Sequence, residues 1–161
     1  MSILGIVHTV IAVIALLFAL AALVKEGIIN PFSSTGKIYS ILTAIASITS
    51  FGLSKAGGFN PGHAIGILIL ILLGIAYLLG RKASGKRLPL LAQVFCMTLT
   101  LFLSLIPAIN ETLSRLPVGH PLADGPTSPL VQNCIKGLLV LVVVGLVLQF
   151  FKVKSATEVG N

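Results

Sequence analysis

Polar residues are scarce along this chain and arrive in clusters, and the clusters cut it into five apolar runs. The first, Ile3 to Val24, is broken only by His8 and Thr9. The others cover residues 38–56, 61–80, 88–109 and 130–151. Each is close to the roughly 20 residues that cross a bilayer as a helix. Between them lie Lys25 to Lys37, with Asn30-Pro31 and Gly36 as breakers, a short basic segment from Arg81 to Arg87, and a proline-rich stretch from Glu111 to Pro129. Within that stretch ETLSRL reads as a short interfacial helix, and SATEVGN reads as a frayed tail. The pattern predicts an all-α integral membrane protein, one domain of five transmembrane helices over residues 1–161.

The runs differ in what interrupts them. In the second, Ser40, Thr43, Ser47, Ser50 and Ser54 recur at i, i+3, i+4 spacing and form one hydroxyl stripe. Small polar residues let membrane helices approach closely, so this stripe is expected to face the bundle. The third run is entered through GGFNPGHAIG, residues 57–66, where Asn60 suits a helix N-cap and Pro61 the first helical position. His63 then falls in the first turn, where the helix dipole disfavours a protonated ring. Gly62, Gly66 and Gly74 give that helix a face open to a close neighbour or a flat ligand.

Composition confirms the class: 56% of the 161 residues are hydrophobic and 9% charged, with mean hydropathy +1.08. A soluble domain carries about a quarter charged residues. The net charge of +7 is therefore a topology signal, not a mark of nucleic-acid binding. With the N-terminus outside, Lys25, Lys37, Arg81, Lys82, Lys86, Arg87, Lys152 and Lys154 fall on the inner side. Only Lys55 and Arg115 fall outside, with Lys136 within a span. Eight against two sets the N-terminus out and the C-terminus in the cytoplasm of a bacterial inner membrane. MSILGIVH lacks the basic start of a cleaved signal peptide, so the first run is expected to be retained. Tyr39 and Tyr77 both fall near the inner interface.

This topology gathers His8, His63 and His120 on one side. His8 lies five residues inside its run, about 8 Å along a helix, and Ala12, Ala15, Ala19 and Ala22 continue its face. A small-residue face is the packed one, so His8 points inward, either to a ligand or to a hydroxyl of the second span. Lys136 lies six residues inside the fifth run, where an ammonium must snorkel or meet an anion. Cys96 and Cys134 differ in depth and read as free thiols. HExxH, CxxC, Walker and GxSxG signatures are all missing.

Two inward histidines on different helices, glycine-lined faces and a basic rim describe a haem b site. In His8, the Tyr39 to Ser54 span and GGFNPGHAIG the chain resembles the small helical membrane b-type cytochromes. That resemblance implies electron transfer or binding of O₂, hence an oxidoreductase if the protein is an enzyme. It implies a redox partner or quinone, with His8 and His63 as iron ligands, Gly66 beside the macrocycle, and Lys55, Arg115 or Lys136 pairing with the propionates. The family places several histidines within spans; here only His8 clearly is, and a single ligand would leave a sixth site open to gas. A zinc or copper site from His8, His63 and His120, with Asp124, is a second expectation; it would serve a membrane hydrolase or a metal-handling protein. A third is a structural or interaction subunit, homo-oligomeric or within a complex, whose histidines are satisfied by the bundle itself.

Overall fold

The computed structural model describes residues 2–53, 58–82 and 86–159. They form five helices: α1 (Ile3–Glu26), α2 (Ser34–Ser50, continued by a 3₁₀ turn at Phe51–Leu53), α3 (Pro61–Lys82), α4 (Arg87–Arg115) and α5 (Pro129–Val159). No strand occurs among the described residues. All five helices are long and apolar enough to cross a membrane.

The starts and stops follow local chemistry. Ser2 caps α1 by accepting from the Gly5 N–H at 3.1 Å. Gly27, at φ 64°, ends it, with its N–H on the Leu23 carbonyl at 2.8 Å; a left-handed residue here favours glycine. Asn30 turns the chain by accepting the Phe32 N–H on its side chain (3.0 Å). Ser33 then caps α2 through the Gly36 N–H (3.2 Å). Gly36 packs so closely on this turn that a Cβ would lie 1.9 Å from the Asn30 carbonyl oxygen. α1 and α2 are thereby folded back on each other as an antiparallel hairpin.

Successive helices continue antiparallel. Gly66 on α3 meets Ser47 and Ser50 on α2, while Phe32, just before α2, stacks on Tyr77 of α3 at 5.2 Å. Gly80 near the end of α3 abuts Gln93 near the start of α4. Thr98 of α4 reaches Gln149 of α5. Lys152 donates to the Glu26 backbone carbonyl, tying α5 to the end of α1. One end of the bundle therefore collects the basic residues and the other the histidines. The core between them is Ala15, Ala19, Ala22, Ile29, Tyr39, Leu72, Ala76, Cys96 and Met97. α2 divides cleanly: Thr43 and Ser47 are buried, while Ile38, Ile41, Ile45 and Ile48 are exposed.

Two expectations are corrected. ETLSR is the last turn and a half of α4, not a separate helix. Pro107 sits inside α4 without ending it, and the Glu111–Arg115 ion pair, i,i+4 on one face, supports the continuation. α5 runs to Val159, so most of the segment read as a tail is helical. Tyr39, near the start of α2, is fully buried in the bundle, its hydroxyl on Thr100 at 2.9 Å.

Candidate functional site

His8 is placed by the alanine face of α1. Ala15, Ala19 and Ala22 are buried, and the same face brings the imidazole of His8 against α2. Its Nδ1 lies 3.0 Å from the Ala46 carbonyl oxygen and 3.1 Å from Thr49 Oγ1. The Thr49 hydroxyl proton is already directed at the Ile45 and Ala46 carbonyls, 3.0 Å each. The consistent assignment puts a proton on Nδ1, donated to α2, and leaves Nε2 as a bare lone pair. The partners of His8 on α2 are thus the Ala46 carbonyl and Thr49, which lies outside the hydroxyl stripe; Ser47 and Ser50 of the stripe face Gly66 on α3 instead.

His63 is placed by its helix start. Its N–H donates to Asn60 Oδ1 at 3.1 Å, the cap read from the sequence. The Asn60 amide returns to the ring, with Nδ2 to Nε2 at 3.4 Å. Phe51 and Phe59 set ring edges against the imidazole at 5.6 and 5.8 Å, and the residue is 8% exposed. The Nε2 lone pair, the one a metal would need, faces an amide donor. One turn later, a Cβ on Gly66 would meet Ser50 Oγ at 3.1 Å, so this glycine serves α2–α3 approach. At Gly74 nothing lies within 4 Å of a Cβ, and at Gly62 only the Asn60 side chain does.

The remaining site residues disperse. Lys55 lies outside the described residues. The Arg115 guanidinium is paired with Glu111. Lys136, His120 and Asp124 are all exposed. The loop bearing His120 folds back on α4 itself, the Ala123 N–H bonding the Leu113 carbonyl at 3.0 Å. Among the described residues, no three His, Cys, Asp or Glu side chains converge as a metal site requires. Cys96 and Cys134 are free thiols.

The polar groups that do converge are ones sequence reasoning passed over. Tyr39, Thr100 and Ser104 link α2 to α4: Thr100 Oγ1 donates to the Met97 carbonyl (2.7 Å), and Ser104 Oγ donates to that of Thr100 (2.9 Å). Thr98 Oγ1 donates to Gln149 Oε1 at 2.8 Å, both side chains buried. Thr43 Oγ1 and Gln93 Nε2 are buried without a hydrogen-bond partner among the described residues. A signal for the second pair was present: Gln149 interrupts an apolar run, LVLQFF, at which a lone amide requires a partner.

These features define an all-helical bundle of five membrane-crossing-length helices, joined internally by hydroxyl, amide and imidazole hydrogen bonds. No family model, curated protein or solved structure matches the chain. Fit to a haem is uneven. His63 spends its Nε2 lone pair on Asn60 and Gly66 spends its space on α2, so a bis-histidine slot does not fit these residues. Of the two histidines, His8 keeps one ring nitrogen without a partner among the described residues, with its other nitrogen on a backbone carbonyl, the support that ligating histidines usually have.

Proposed function

We propose that this chain is an integral membrane protein acting as a structural or interaction subunit, N-terminus outside and C-terminus cytoplasmic. Five helices of spanning length and the eight-to-two basic asymmetry support the insertion and its direction. The observation that carries the role is the use of the two histidines near the N-terminal end of the bundle: each spends a ring nitrogen on the protein's own groups, His8 on α2 and His63 on its own cap. An intramembrane histidine joined to a neighbouring helix is a fastener.

A second reading is favoured by one observation. The free Nε2 of His8, behind an Nδ1 held on the Ala46 carbonyl, suits a single axial ligand to haem b. The group would supply electron transfer or gas binding. His8 would hold it, and the Ala46 carbonyl would fix the tautomer. The absorption spectrum of detergent-purified protein, with elemental analysis for zinc and copper, decides between the readings. The expected result is no Soret band and no stoichiometric metal. A Soret band that disappears in His8→Ala and persists in His63→Ala would overturn the subunit reading in favour of the haem one.

A further inference from the structure

At the basic end, α2 and α3 part to leave a cleft of about 280 Å³, near the lower limit for small-molecule pockets. It is lined by the apolar Pro31, Phe32, Ile41 and Leu73 together with Lys37, Ser40 and Tyr77. Arg81 completes the rim: its guanidinium lies over the Tyr77 ring, 5.9 Å from the centroid. Lys37 and Arg81 have no ion-pair partner among the described residues. Glu26, at the same end, accepts from Thr35 Oγ1 at 2.7 Å. Ser40 Oγ gives its proton to the Gly36 carbonyl and presents its lone pairs. Ile41 and Tyr77 are about half exposed, so the cleft opens outward from the bundle.

We propose that this cleft binds the headgroup and first acyl carbons of an anionic phospholipid from the leaflet at the basic end. The charge selects the occupant. Two cations without a carboxylate at the rim repel cations and attract a phosphodiester, and basic pockets between membrane helices on the cytoplasmic side are suited to lipid headgroups. The apolar part of the lining selects against a free water-soluble anion, which would lose hydration against Ile41, Leu73 and Phe32 without replacing it. The cleft is too small for a whole lipid, so the remaining chain lies along the exposed Ile38, Ile41 and Ile45 face of α2.

The inference rests on the bundle lying in a bilayer, and detergent dependence of the purified chain reports on that separately. The test is native mass spectrometry of the full chain in detergent, titrated with phosphatidylglycerol or phosphatidylcholine. Phosphatidylglycerol is expected to bind the tighter. Lys37→Gln and Arg81→Gln should each weaken it about fivefold, and the double variant about 25-fold. Ile41→Trp, which fills the cleft without changing charge, should also weaken it, whereas Lys136→Gln at the other end should not. Equal binding of the two lipids overturns the proposal. So does a loss from Lys136→Gln equal to that from Lys37→Gln, which would mean unspecific charge attraction. Displacement of the lipid by millimolar glycerol 3-phosphate would mean a soluble anion site instead.

Discussion

Single residues carry most of the specificity in this bundle, and the glycines separate into working and idle ones. Gly36→Ala sets a methyl 1.9 Å from a backbone oxygen, in a turn that cannot yield. It should cost about 3 kcal/mol. Gly74→Ala meets nothing within 4 Å and should be neutral or stabilising by up to about 1 kcal/mol. Thermal unfolding in detergent would measure both, and equal effects would show that the α1–α2 turn is not the close contact described. For His8, a double-mutant cycle with Thr49→Val should give a coupling of about 0.6 kcal/mol, the usual size for polar pairs in membranes; a coupling of zero would leave only the Ala46 carbonyl as partner. The inward direction of His8 was legible, because the alanine face of α1 points one way. The identity of its partner was not, since a hydroxyl and a ligand satisfy an imidazole equally well on paper. Gly74 shared a face with Gly66 in sequence, yet only Gly66 meets α2, because depth along a helix is not encoded in periodicity.

Polar contacts join some of the helix pairs: α1 to α2 through His8, α2 to α4 through Tyr39 and Thr100, and α4 to α5 through Thr98 and Gln149. α5 leans on α4 through Thr98 and Gln149. Removing either partner alone leaves a buried polar group unanswered and should cost about 1–3 kcal/mol, whereas replacing both, with Thr98→Val and Gln149→Leu, should approach wild-type stability. Denaturant or thermal titration of the three variants reads this directly; a double variant as weak as the sum of the singles would show that the contact is not a mutual pair. Helix number and four of the five starts were legible within about two residues, because caps such as Ser2 and Asn60 announce themselves. Two ends were not. α4 and α5 run past their apolar stretches, since i,i+4 charge pairing and an unbroken backbone extend a helix into polar sequence. The partner of Tyr39 was not legible either, since Thr100, 61 residues away, is invisible to local pattern.

For the whole molecule, antiparallel packing of successive helices puts eight basic residues at one end, with Lys152 fastening α5 to α1 there. A reporter fused after Asn161 should report the cytoplasm; an exported reporter would invert the proposed orientation and place the lipid cleft in the opposite leaflet. The helices so arranged are unequal. The spanning segment of α2 with its 3₁₀ turn has 20 residues and that of α5 has 27, about 30 Å against about 40 Å at 1.5 Å per residue. Set in a hydrocarbon core of about 30 Å, α2 is matched, and the longer helix is accommodated by tilting, at fractions of a kcal/mol per Å of mismatch. In a bilayer, a bundle of this build would answer a change in lipid chain length first through the tilt of α5, its longest span.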